Sequence, residues 1–384
     1  MKRYPLLACL ALGGGLLLGG CNSDTPAGRG TLNVALTDAP GCGYDHVYVT
    51  VERVRVHRSD NAGAQDGGWH EVVLEAPRKI DLLTLSNGVM TTLGQTGLPA
   101  GHYQQIRLVL APNTGNVLSN SLVPTGGTEE ALATPSATQS GYKVIGDFRV
   151  AADAVVDLVL DFDACRSIVA KGNGGYALKP VVTATVQAVS GSIVGHVDVA
   201  DAGATVYAQQ AGRILKGTLA DASGRFVLAP VIQSSSNGSY DVVITRGGDT
   251  ATIVRGVPVV AGAATTISTS AAPFVLADAA PRTAGGTVTP ASASAVVEAL
   301  QAVAGGNYVI ASTNAALDTG DYMLALPAGA PLVGDYAGIL PVGLAPEATA
   351  AGRYNVRATT TAGTSQTQDV DVQAASAAGI DFLF

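Results

Sequence analysis

Residues 31–38 open a pattern that recurs along most of the chain. Leu32, Val34 and Leu36 alternate with Thr31, Asn33 and Thr37, the period of two that turns one face of a strand to a core. Asp38-Ala39-Pro40-Gly41 breaks the run. A second strand then carries Val47, Val49 and Val51 on one parity and Val54 and Val56 on the other. The two polar residues between them, Glu52 and Arg53, make a phase slip that predicts a β-bulge. Residues 155–163 place Val156, Leu158, Leu160 and Phe162 inward and Asp157, Asp161 and Asp163 on the other face. The alternation predicts that this acidic face is solvated and partly paired with cations such as Arg53, Arg55 or Arg107. Short alternating runs bounded by turn residues follow at 79–85, 98–110, 141–148 and 176–186, the pattern of an all-β sandwich. A long polar segment, 112–140, interrupts them.

The remainder repeats itself. Residues 191–276 contain SIVGHVDV, GATVYAQ, TLADASGRFVLAPV and GSYDVVITRGG; residues 285–384 contain GGTVTP, SAVVEALQ, AALDTGDYMLALP and GRYNVRATTTAG in the same order. Ser223-Gly224-Arg225-Phe226 aligns with Thr319-Gly320-Asp321-Tyr322, and Tyr240 with Tyr354. The second copy carries extra residues at roughly 328–350. The expected organisation is therefore all-β, with three β-sandwich domains in tandem at 31–188, 189–277 and 278–384, whose immunoglobulin- or transthyretin-like type is what the resemblance given below implies. They are expected to string outward from the N-terminus, and the first is expected to fold separately from the two repeats, with the junction at 188–191 small and polar.

Composition agrees: 47% hydrophobic but only 5% aromatic and 14% charged, with 47 glycines, suits short strands and turns. The net charge of −8 argues against nucleic acid as a partner.

The N-terminus has Lys2 and Arg3, an apolar run at 6–18 and then small residues, the make-up of an export signal over residues 1–20. Leu18-Gly19-Gly20-Cys21 resembles the lipobox of bacterial lipoproteins. That resemblance implies acylation of Cys21, cleavage before it, and a membrane partner reached through a lipid anchor, with residues 21–30 as a tether. Asn22 in place of aspartate implies the outer membrane of a Gram-negative envelope. Of four cysteines, Cys9 would leave with the signal and Cys21 would be lipidated. Cys42 and Cys165 remain as one expected disulfide in an oxidising compartment. The two strands beside them, 44–57 and 155–163, have matching parity and are expected to pair antiparallel, with Val47 opposite Leu160, Val49 opposite Leu158 and His46 facing Asp161.

Further stretches carry a family resemblance: LTDAP, YDHVYVTVERVRVH, KIDLLTLSNGV, LPAGHYQQIRLVL, SGYKVIGDF, LVLDFDACRSIV and LKPVV. Together they resemble the bacterial lipoprotein domain of unknown function, family 4382, over about residues 31–187. It implies a place at the N-terminus of envelope lipoproteins and brings no catalytic residues. The two later units resemble carboxypeptidase regulatory-like and transthyretin-like sandwiches, which implies spacer, adhesion or carbohydrate-binding-like roles with any hydrolytic partner elsewhere, and no zinc carboxypeptidase domain occurs in this sequence.

Motifs for a serine elbow, a zinc helix, a phosphate-cradling loop or a dinucleotide fingerprint do not occur. No catalytic residue, cofactor or metal ligand is assigned, since His46, His57, His70 and His102 lack a second histidine at ligand spacing. Residues 60–66 read as an acidic turn rather than a calcium loop. The row Arg53, Arg55 and His57 is a candidate site for an anionic glycan, and Trp69, the single tryptophan, a candidate stacking platform. For each, a solvated strand face or a packed rim is the stronger expectation. The function expected is a non-enzymatic binding or structural module of the envelope, with an envelope polysaccharide or protein as partner. A carbohydrate-binding lipoprotein is the alternative, and a metal-dependent hydrolase or enzyme subunit is the rival from another class.

Overall fold

The structure is a computed structural model describing residues 28–39, 43–135, 137, 140–172, 174–179, 181–304 and 306–384. Cys21, Cys42 and the signal at 1–20 lie outside the described residues.

The chain is all-β. In its first unit come β1 (Arg29–Ala39), β2 (Tyr44–His57), β3 (His70–Asp81), β4 (Thr91–Pro99), β5 (Gly101–Tyr103), β6 (Gln105–Leu110), β7 (Ser121–Pro124), β8 (Glu130–Ala133), β9 (Tyr142–Val144) and β10 (Phe148–Val150). They are followed by β11 (Val155–Asp163), the short helix α1 (Ala164–Ser167), β12 (Ile168–Ala170), β13 (Tyr176–Leu178) and β14 (Val182–Val186). One main sheet has the order β14-β11-β1-β4; the other runs β12-β13-β8-β7-β2-β6-β9, with β3 also on β2, and β10 pairs with β5 in a small third sheet. Between them lie Leu32, Val34, Leu36, Leu158, Leu160 and Phe162 from the first and Val47, Val49, Val54, Val56, Ile106 and Leu108 from the second, all buried.

The expected bulge is present, as the register of β2 shifts between Val51 and Arg53 against both β3 and β6. The expected pairing of β2 with β11 is not. β11 runs parallel to β1, with Leu36 opposite Leu160 and Val34 opposite Leu158, while Val47 pairs with Leu122 and Val49 with Ile80. His46 meets Asp81 at 2.6 Å, not Asp161. Inward valines alternate in the same way whether two strands are neighbours in a sheet or face each other across a core, so parity could not separate these arrangements.

The second unit contains β15 (Ser190–His196), β16 (Thr205–Gln210), β17 (Arg213–Leu219), β18 (Arg225–Ile232), β19 (Tyr240–Thr245), β20 (Thr252–Val257) and β21 (Ala264–Thr266). In the third are β22 (Pro281–Thr289), β23 (Val296–Val303), β24 (Gly306–Asn314), β25 (Asp321–Pro327), β26 (Leu332–Asp335), β27 (Ala345–Pro346), β28 (Arg353–Thr359), β29 (Ser365–Asp371) and β30 (Phe382–Leu383). Their wiring is the same. β18-β15-β21 matches β25-β22-β30, including the parallel last strand, and β17-β16-β19-β20 matches β24-β23-β28-β29. Bulges recur at Ala208/Gln209 and Ala299/Leu300. Gly224 and Gly320 both have positive φ and sit where a Cβ would lie 2.2 Å from the Val197 carbonyl oxygen and 2.1 Å from that of Val288, so only glycine fits either turn. The Tyr240 and Tyr354 hydroxyls donate to carbonyls at the ends of β18 and β25, Ile232 and Pro327, at 2.7 Å each.

The extra residues of the second copy have a structural use: β26 adds in parallel to β20, extending the second unit's sheet, and Val342 lies in that unit's core. The units are also not strung out. Gln209 brackets the Val309 backbone with both amide atoms, at 2.7 and 2.9 Å, beside the apolar trio Ile214, Leu300 and Val309. Asn314 of the third unit donates to the Arg166 and Ile168 carbonyls of the first. Asn87, in a left-handed conformation at a turn tip of the first unit, receives and gives hydrogen bonds with Thr218, Arg225 and Val227 of the second. All three units therefore meet in one body.

Candidate functional site

The sequence candidates gather on the outer face of the larger sheet. Register places Glu71, Arg55, Arg107 and Lys143 in one row across β3, β2, β6 and β9. Trp69 rides on it, with the Arg55 guanidinium 4.6 Å and that of Arg107 5.2 Å from the ring centroid and the His57 ring at 5.1 Å. Arg55 donates to the Ala64 carbonyl and pairs with Glu71 at 2.8 Å; Arg107 donates to the carbonyls of Ala62 and Ser140; Lys143 donates to that of Asp60. The indole N–H donates to Gly63 and the Gly63 N–H to Asp66. Arg53 stands apart from this clasp, 3.5 Å from Glu52 and 3.7 Å from Glu71. The row thus pins the loop 60–68 to the sheet, each cation–π contact adding about 0.5–2 kcal/mol. Burial and the neighbouring Arg55 charge lower the Arg107 pKa.

The histidines are spread out. His46 pairs with Asp81, His102 with Asp147, His57 meets the Gly67 carbonyl, and His70 lies edge-on to Tyr103. Among the described residues no group of three His, Cys, Asp or Glu side chains is placed to hold a metal ion, and no helix is long and apolar enough to cross a membrane.

The acidic face of β11 behaves otherwise than expected. Asp161 is buried, and its cation is Lys216 of β17 rather than Arg53, Arg55 or Arg107, which stand on strands of the opposite sheet. Asp38 is buried beside it, with Oδ1 accepting from the Ala164 N–H and Oδ2 without a partner. Burial pushes the pKa of Asp38 well up, helped by Asp163 and Asp161; burial raises Asp161 against the pull of Lys216, and raises Asp163 to about 6. Lys216 gave no sequence signal beyond a cation inside an alternating strand. Cys165 lies half-buried in α1, at the end of β11, near the end of β1.

Further along the same sheet, where the second unit no longer covers it, a groove of about 540 Å³ lies open. Gln95, Asn33 and Asp157 stand side by side across β4, β1 and β11, and Asn33 donates to Asp157 Oδ1 at 2.8 Å. The adjoining row is Thr92, Ala35 and Val159.

Residues 29–180 match the family model described as Domain of unknown function (DUF4382). The first unit is thus a DUF4382 domain. No curated protein sequence matches the chain. Similar solved structures include an N-terminal interface mutant of a type II Cohesin-X-Dockerin complex from Acetivibrio cellulolyticus, at 22% identity and TM-score 0.19 over 23% of this chain and 58% of that one. A C-terminal interface mutant of the same complex gives 24% identity and TM-score 0.18 over 22% of this chain and 56% of that one. The chain spans less than two thirds of the length of both. A Ca2+-stabilized adhesin with which an Antarctic bacterium binds ice aligns over 88% of this chain and 97% of its own, at 11% identity and TM-score 0.13. Scores this low describe scattered β-structure and say nothing of function here.

Proposed function

We propose that this chain is a non-enzymatic binding or structural module of the bacterial envelope, acylated at Cys21 and carrying a rigid three-sandwich head whose last two units are carboxypeptidase regulatory-like repeats. The observation that carries this reading is how the ionisable groups are used. Lys216 is tied to a carboxylate of the first unit across a seam, and Arg55, Arg107 and His57 to a carboxylate and main-chain carbonyls that hold a loop to its sheet, rather than converging on an open cleft. The lipobox and the cysteine usage support export and anchoring at the outer membrane.

Metabolic labelling with a fatty acid tests the anchor: the full chain takes up label and partitions with membranes, and Cys21→Ser does neither. Label retained by the variant overturns the anchoring. Turnover of a chromogenic ester, phosphate or glycoside that tracks with the purified full chain overturns the non-enzymatic part.

A further inference from the structure

We infer that the groove across β4, β1 and β11 is a binding site for a neutral polysaccharide. This deepens the module reading and rests on it. Gln95, Asn33 and Asp157 form one straight row across three strands. β14 ends at Val186, opposite Leu158, and Gln187 at the start of the turn that follows lines the same groove. Neighbouring strands stand about 4.8 Å apart, so Gln95, Asn33 and Asp157 follow one another at strand spacing, with the amide of Gln187 lining the groove beside them. In the adjoining row Thr92 is exposed, Ala35 partly buried and Val159 buried, and half-exposed Met90 forms an apolar side wall.

The side chains select the ligand. Amides offer both donors and acceptors, and a carboxylate accepts from hydroxyls, which matches a ligand rich in groups that do both. Asn33 holds Asp157 through one carboxylate oxygen and leaves the other to accept from a ligand. No lysine or arginine lines the groove among the described residues, and the chain carries a net charge of −8, so an anionic polymer meets repulsion here. Among the described residues no aromatic ring lines it either, so recognition runs through hydroxyl edges rather than ring faces. Gln95, Gln187, Thr92 and Asp157 are exposed, so the row is open to a chain without any movement of the fold.

Affinity electrophoresis of the full chain in detergent tests this, with gels containing hydroxyethyl cellulose, xylan or glycogen, and alginate as the anionic control. The expected result is retardation by at least one neutral polymer, weakened at least tenfold in the double variant Gln95→Ala/Gln187→Ala, whose exposed side chains leave the core untouched. Should the double variant misfold, the isosteric Asp157→Asn gives the same readout. Retardation by none of the neutral polymers, by alginate alone, or unchanged in the variants overturns the inference. Those results leave the lipid anchor and the lack of turnover standing, because labelling of Cys21 and the substrate assays are read separately.

Discussion

Lys216 of the second unit closes on Asp161 of the first, Nζ to Oδ1 at 2.5 Å, with the two side chains 4% and 10% exposed. A pair taken this far from water is held by its mutual contact, and removing one partner strands the other charge. Lys216→Met is therefore expected to cost about 3–5 kcal/mol, read by chemical denaturation of the full chain. The double change Lys216→Met/Asp161→Leu removes both charges and should recover most of that loss. A single variant as stable as the parent would show that the seam does not depend on the pair.

The carboxyls around this pair set a pH dependence. Burial raises Asp38, Asp161 and Asp163 above the unfolded value near 3.9, Asp163 to about 6. Between those values the folded chain keeps protons that the unfolded chain has lost, so this contribution to stability is full below the unfolded pKa and declines as pH rises through the folded one. The melting temperature should be higher at pH 5 than at pH 7.5, and Asp163→Asn should flatten the difference. A melting temperature that rises over that interval would contradict the assignment.

The bridge between Cys42 and Cys165 is expected in the exported protein. β1 and β11 run parallel in direct register up to Ala39 and Asp163, so both chains leave the sheet at the same end, and Asp38 already touches Ala164 there. Closing a loop of about 120 residues is worth roughly 4–5 kcal/mol in the chain-entropy model, less any strain. Peptide mass mapping without reductant checks it, and two alkylatable thiols in the native protein would refute it.

Because Trp69 is the single tryptophan, its emission reports the clasp on loop 60–68. Arg107→Ala removes one cation–π contact and two hydrogen bonds to main-chain carbonyls. A loss of about 1–3 kcal/mol is expected, together with red-shifted emission and faster proteolysis within the loop. Unchanged emission and cleavage would mean that the loop holds itself.

The strands themselves were readable because alternation is a local property: Leu32, Val34 and Leu36 declare their face without reference to anything else. The bulge at Val51/Arg53 was readable for the same reason, as a slip in phase. Partnership was not. Parity let β2 neighbour β11, whereas the chain puts β1 there. The seams were hidden altogether, since Lys216, Gln209 and Asn314 look like ordinary polar positions on strands until another unit closes over them. The groove row was hidden in the same way, because Gln95, Asn33 and Asp157 come from three distant stretches that only register aligns.

The parallel addition of β26 to β20 has a consequence for how such a chain can be shortened. A chain ending before residue 332 leaves β20 as a bare border of unpaired N–H and C=O groups, and such borders recruit strands from other molecules. Truncated forms should therefore self-associate, and the last two modules are best inherited, expressed and engineered as an inseparable couple.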